Sequence, residues 1–225
     1  MNQKTIESIC SETESKIVFL IIDGLGGMAH PETGKTELET AQIPNLDQLA
    51  KESLCGLSIP IDLGITPGSG PAHLAIFGYD PIENVIGRGV LEALGLGIDL
   101  KKDDLACRAN FATYDYGTKI VIDRRAGRIP TEKCVELCSL LQEKIRKIDN
   151  TKIYFYPGKG HRFVVIFRSK SLSSAISEND PQKDNFAPKS VKALKPIAKK
   201  TADIVNQFLS LSQKIMKNFT LANYI

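Results

Sequence analysis

Two short stretches of this 225-residue chain place reactive side chains where few neighbours crowd them. In "ITPGSGPAHLAIFGYDP" Ser69 stands between Gly68 and Gly70, which frees the backbone and lets a bulky group approach the hydroxyl closely. That arrangement suits a nucleophile, and it suits a simple turn equally well. In "KIVFLIIDGLGG" Asp23 ends an apolar run and is followed by Gly24, Gly26 and Gly27. A strand-end aspartate and a serine at a helix N-terminus can together hold a divalent cation, which lowers the hydroxyl pKa and offsets charge during phosphoryl transfer. Two ligands do not complete such a site. The structural alternative, with Asp23 capping a turn and Ser69 serving as an N-cap, uses both residue types in common roles.

Two familiar loop motifs fit these stretches poorly. Gly24, Gly26 and Ala29 match a dinucleotide-binding fingerprint, but that fingerprint must open a helix, and His30 and Pro31 interrupt the pattern. A nucleophile elbow needs one residue between the serine and each glycine, and Gly68-Ser69-Gly70 has none. His73 lies one helical turn beyond Ser69, where a structural hydrogen bond is its expected role.

The elements that must position these groups follow from periodicity. The continuous β-branched run of 16–22 reads as a strand buried on both faces of a parallel sheet, with Asp23 at its C-terminal edge, where open α/β sheets bind ligands. "LCGLSIP" reads as a second strand; "IPNLDQLAKES", "PAHLAIFGY" and "GRGVLEALGLG" read as short helices. From about Cys107 the texture changes to a compact α+β module: strands in "ACRANFATYD", "TKIVIDRRAG" and "KIYFYPGKGHRFVVIFR", with a helix over "TEKCVELCSLLQEKIRKI". A polar, proline-broken stretch near 177–190 reads as a linker, and the last forty residues carry a helical stripe through Ile197, Ala202, Val205, Leu209 and Ile215.

Composition bounds the function. A net charge of +3 from 29 basic and 26 acidic residues gives no argument for nucleic acid or an anionic membrane. The five cysteines form no CxxC pair and are odd in number, which speaks against a disulfide framework or zinc site. The polar start has no signal-peptide core and no apolar run reaches about 18 residues, so a cytoplasmic, non-membrane protein is expected.

Beyond these patterns, "FLIIDGLGG", "ITPGSGPAHLAIFGYDP", "IGRGVLEALGLGIDL", "ANFATYD", "DRRAGRIPTEKCVELC" and "HRFVVIFR" together resemble the archaeal-type, 2,3-bisphosphoglycerate-independent phosphoglycerate mutases of the alkaline phosphatase superfamily. The likeness runs in order from about residue 16 to the end. It implies an α/β fold: an alkaline-phosphatase-like three-layer core, incomplete here, with an inserted α+β substrate-binding module. The implied division is a polar extension over 1–15, core over 16–106, module over 107–184, and a linker with a helix returning to the core over 185–225. The implied reaction interconverts 3-phosphoglycerate and 2-phosphoglycerate through a phosphoserine at Ser69, without bisphosphoglycerate. Two divalent metal ions (Mn, Mg, Zn or Co) would be bound in part by Asp23 and Ser69. Arg124, Arg125 and Arg128, with His161 and Arg162, are the implied substrate-binding residues, since planar guanidinium groups hold carboxylate and phosphate in a bidentate way.

The later aspartate and histidine ligands of that family have no counterpart in these 225 residues. The expectation is therefore the N-terminal part of a mutase, completed by a further C-terminal chain or by homo-oligomerisation. A non-catalytic binder of phosphorylated acids and another metal-dependent phosphatase or phosphonate enzyme are the alternatives.

Overall fold

The computed structural model describes residues 3–22, 25–65 and 67–225. The chain divides into two compact units, Met1–Asn84 and Val85–Ile225.

The first unit carries helices α1 (Gln3–Ile9), α2 (Glu37–Thr40), α3 (Pro44–Glu52) and α4 (Ser69–Ile76), joined by irregular chain. Helix α2 opens with a capping box: Thr36 Oγ1 accepts from the Glu39 N–H at 3.2 Å, while the Glu39 carboxylate accepts from the Thr36 N–H at 2.8 Å. Pro44 starts α3 with a φ already set for a helix. The strands expected over 16–22 and 54–60 are not formed. Those residues are irregular, and Ile17, Val18 and Leu20 remain 82, 87 and 77% exposed. A strand of a parallel sheet needs hydrogen-bonded neighbours and helices over its faces, and the described residues of this unit contain no other strand to supply them.

The second unit is a mixed α/β body built on an antiparallel sheet. Its elements are α5 (Arg88–Gly95), β1 (Asp104–Asn110), β2 (Thr113–Asp115), β3 (Ile120–Asp123), α6 (Thr131–Lys144), β4 (Lys147–Ile148), β5 (Thr151–Pro157), β6 (Arg162–Arg168) and α7 (Lys199–Met216). The main sheet has the order β1-β6-β5-β4, and β2 and β3 form a separate hairpin. Strand β6 is central, with Phe163 to Phe167 all buried. Alternation sends Phe163, Val165 and Phe167 to one face, where they meet Leu137 and Leu141 of α6 and Ile204 and Phe208 of α7. Val164 and Ile166 point to the other face, against Ala93 of α5 and Ile98. Helices thus cover both faces of the sheet.

Helix α7, expected to return towards the first part of the chain, buries its apolar stripe in this unit's own core. The unit also begins at Val85, earlier than the module expected from 107, because α5 seats on β1. That seating is tight. A Cβ on Gly89 would lie 2.0 Å from the Ala106 carbonyl oxygen, a backbone atom that cannot swing away.

The outer edge of β5 is closed by a side chain. Gln142 of α6 donates from Nε2 to the Ile153 carbonyl and accepts at Oε1 from the Phe155 N–H, both at 3.1 Å, and so stands in for a neighbouring strand. Pro157 then removes the next outward donor, which blunts the edge against pairing with other chains.

Two expectations follow. Gly89→Ala should lower stability by about 1–3 kcal/mol through overpacking of α5 on β1; chemical denaturation reads this, and an unchanged midpoint would show that the helix does not sit where described. Every residue of the buried cores lies at or beyond Ala93, so a segment of residues 85–225 should melt cooperatively alone and bind less apolar dye than the whole chain. A gradual melt would mean that this core is not self-sufficient.

Candidate functional site

In the first unit, Ser69 is the first residue of α4, exposed, with Gly68 as the N-cap in extended conformation. Neither Gly68 nor Ser69 makes a side-chain cap, so the Ser69 hydroxyl is not spent on the helix end. His73 places Nδ1 2.6 Å from the Ser69 carbonyl oxygen, and so orients the first turn rather than the hydroxyl. Asp23, the expected metal ligand, lies outside the described residues. Among the described residues no group of three or more His, Cys, Asp or Glu side chains is placed to hold a metal ion.

The second unit gathers the expected anion-binding residues. The segment after β3 makes a tight loop in which Asp123 accepts twice from the backbone, Oδ1 from the Arg125 N–H at 2.7 Å and Oδ2 from the Gly127 N–H at 2.6 Å. Ala126, Gly127 and Arg128 then take φ values of 47, 63 and 55°, three left-handed residues in succession. Only glycine adopts that region without cost, so Ala126 and Arg128 are held there by their surroundings. The loop borders an open cleft of about 410 Å³ lined by Asp123, Arg124, Arg125, Gly127, Arg128 and Asp184.

The turn between β5 and β6 faces this loop. Gly160, with φ 64°, makes the reversal, and its N–H donates to Thr131 Oγ1 at the start of α6 at 3.0 Å. His161 follows, 8% exposed, with its carbonyl accepting from the Phe111 N–H at 2.8 Å. Burial pushes the His161 pKa below the usual imidazole value, and the charges of Arg162, Arg125 and Arg128 push it the same way against a smaller opposing pull from Asp123. Arg125, Arg128 and Arg162 thus all act on His161, which gives up its proton more readily than a free imidazole.

Arg124 behaves differently from its neighbours. Its guanidinium is committed to Asp180, Nε to Oδ1 at 2.7 Å and Nη2 to Oδ2 at 2.6 Å, with a further bond to Gln182 at 3.0 Å. The stretch around 178–186, expected as a linker, is tied to the module by this pair and by β-bridge bonding between Val121 and Phe186.

Sequence reasoning missed four contributors. Arg108, on β1, is half-buried and sits 3.6 Å from Glu92 of α5. Burial and then the charge of Arg88 pull its pKa below the ordinary arginine range, Glu92 opposes, and Arg162 adds a smaller push. Arg88 is also felt by Asp180. The remaining two are Asp123 and Asp180 themselves. A signal existed for Arg108, a charged residue between the apolar Leu105–Cys107 and Ala109 of β1; none marked Asp180, whose partner is 56 residues away.

Comparison with known proteins gives the context. A family model described as 2,3-bisphosphoglycerate-independent phosphoglycerate mutase matches residues 50–221. A probable 2,3-bisphosphoglycerate-independent phosphoglycerate mutase of Aquifex aeolicus is 49% identical over 98% of this chain and 55% of its own length. The similarly named protein of Thermotoga sp. strain RQ2 is 48% identical over 99% of this chain and 54% of its own. Among solved structures, the cofactor-independent phosphoglycerate mutase of Thermoplasma acidophilum aligns with a TM-score of 0.55 at 32% identity, over 87% of this chain and 51% of that one. A Pyrococcus horikoshii protein aligns at 0.61, also at 32% identity, over 90% and 47%. The chain spans about half the length of the curated relatives it matches. On the extent and identity of these matches, the chain belongs to the 2,3-bisphosphoglycerate-independent phosphoglycerate mutase family.

Proposed function

We propose that this chain is the part of a cofactor-independent phosphoglycerate mutase that carries the phosphoryl-accepting serine, Ser69, and the basic cluster that recognises phosphoglycerate. The observation that carries this reading is the strained loop after β3, which presents Arg125 and Arg128 to one open cleft in a protein of this family. The finer architecture implied is an alkaline-phosphatase-like core contributed in part by 16–106, with the substrate module inserted after it. No helix among the described residues is long and apolar enough to cross a membrane.

The chemistry asks two things of such residues. Phosphoglycerate brings a carboxylate and a phosphate, and guanidinium forks meet both by charge-assisted, paired hydrogen bonds. Transfer to and from a serine also demands that glycerate stay bound while phosphoserine exists, which anchoring of its carboxylate supplies. The two divalent metals implied by the family would activate the hydroxyl and offset phosphoryl charge. Among the described residues no group of three or more His, Cys, Asp or Glu side chains is placed to hold them. Within the chain, Ser69 offers a hydroxyl at a helix start that caps nothing among the described residues, the arginines would hold anions, and His161 would donate or accept a hydrogen bond.

A coupled assay of 3-phosphoglycerate conversion, with manganese and no bisphosphoglycerate, tests the catalytic part. Any turnover should vanish in Ser69→Ala, and turnover that survives the substitution would exclude Ser69 as the phosphoryl acceptor. Titration calorimetry of 3-phosphoglycerate tests recognition separately: Arg128→Ala should weaken binding by roughly tenfold or more, the weight of one charged hydrogen-bonding partner.

His161 provides a pH readout. Its pKa lies below the usual value in the free protein, so protonation disfavours the folded form and stability should decline as pH falls below about 6.5. A bound anion offsets the field of the arginines and should raise that pKa, so binding takes up protons in the same range. Proton NMR of the imidazole with and without 3-phosphoglycerate measures this, and an unmoved midpoint would remove His161 from the site.

A further inference from the structure

We propose that Arg124 is a positioning residue rather than a ligand contact: with Asp180 it forms a latch that holds the left-handed turn 126–128, and so sets the directions of Arg125 and Arg128. The proposal rests on the reading of that cluster as the phosphoglycerate seat. Three sets of bonds carry it.

The Arg124 guanidinium meets Asp180 as a planar fork, with both carboxylate oxygens engaged at 2.6–2.7 Å and Gln182 Oε1 taking a third N–H. Three of its five N–H donors are thereby spent, which leaves only Nη1 to turn elsewhere. The far side of the latch is itself fixed: Asp180 Oδ1 accepts from the Gln182 N–H at 2.8 Å, and Gln182 Nε2 donates to Glu178 at 2.7 Å. The Arg124 main chain is held from the same segment, its N–H donating to Asp184 Oδ1 at 2.9 Å. Arg124 is thus gripped at both its backbone and its side chain by residues 180–184.

The turn that follows needs such a grip. Ala126 and Arg128 occupy the left-handed region against their intrinsic preference. Asp123 secures the inside of the turn through the Arg125 and Gly127 N–H groups. The downstream end is fixed by buried Ile129 and by Thr131 Oγ1, which accepts from Gly160 beside His161. Without the side-chain latch the turn keeps the β3 ladder, the Arg124 N–H bond to Asp184 and the Asp123 bonds, but the Arg124 side chain no longer anchors its entry, and Arg125 and Arg128, both exposed, have less to fix their direction.

Simple electrostatics and the latch predict opposite signs for one substitution. Asp180→Asn removes a negative charge beside several arginines, which on charge alone tightens anion binding. The latch predicts that it weakens binding, by roughly tenfold for groups coupled in one network. The two side chains are 23 and 31% exposed, so the pair adds little to global stability and the melting temperature should barely move.

The experiment titrates 3-phosphoglycerate into the 225-residue chain, comparing the wild type with Asp180→Asn, Arg124→Gln and the double variant. Weaker binding in Asp180→Asn, and a double variant no worse than either single, supports the latch. Tighter binding in Asp180→Asn, or additive losses in the double variant, overturns it in favour of direct ligand contact by Arg124. Amide exchange is measured on the same proteins without ligand: Arg125, Gly127 and Arg128 should exchange faster in Asp180→Asn while α6 and β6 are unchanged. Unaltered exchange at those three amides overturns the latch whatever the binding result. If instead exchange accelerates but the wild type binds no 3-phosphoglycerate, the latch stands and the reading of the cluster as a phosphoglycerate seat fails. Should Asp180→Asn fail to fold, Asp180→Glu, which keeps the charge and lengthens the arm, serves in its place with the same expected loss of binding and faster exchange.

Discussion

Strand β6 is buried on both faces, and much of the second unit is arranged to meet that constraint. Five consecutive apolar residues cannot rest against one layer, so their alternation calls for a helix layer on each side: α5 on one, α6 and α7 on the other. The strand must also be hydrogen-bonded along both edges, which β1 and β5 provide in antiparallel register. Because its neighbours are fixed so completely, the first residue of β6 and the turn before it are fixed as well. Arg162 and His161 therefore stand at one end of a rigid sheet, facing the loop that follows β3.

The cost of assembling that end is repulsion. Arg88, Arg108, Arg125, Arg128 and Arg162 raise the local positive potential, and the lowered pKa values of His161 and Arg108, in which burial leads and neighbouring arginines add, report it. The fold offsets part of it with carboxylates that are spent in defined ways: Glu92 on Arg108, Asp180 on Arg124, Asp123 on backbone amides. None of these is placed to neutralise Arg125, Arg128 and Arg162 together. That imbalance is what distinguishes a cluster of like charges held by the fold from charges spread over a solvated surface.

The sequence was legible where one local pattern decided the outcome. Alternation and β-branching marked β5 and β6, helical periodicity marked α6 and α7, and Gly160 marked the turn between the strands. The basic cluster was legible as a group because Arg125 and Arg128 are close in sequence and His161 and Arg162 begin a strong strand. It failed where the outcome depended on a distant partner. The run 16–22 has every local mark of a buried strand and forms none, because a strand is a property of its neighbours as much as of its own residues. Arg124 carried the same local signal as Arg125, yet its guanidinium turns to Asp180, which no spacing rule could pair with it.

These facts separate recognition from chemistry within the chain. The described cores of the second unit are built from residues at or beyond Ala93, so the arginines are mounted on a frame packed from that unit's own side chains. Ser69 stands in a unit whose apolar runs are largely exposed, at the start of an eight-residue helix that is half-buried along one side and whose end packs Phe77 against Phe19. Phosphoryl transfer is sensitive to displacements of an ångström or less, whereas anion binding by long, charged side chains is more forgiving. The demands on placement are therefore stricter for the serine than for the arginines, and the two units meet them to different degrees: the loop of Arg125 and Arg128 is pinned by Asp123, whereas Ser69 starts a short helix among exposed apolar residues.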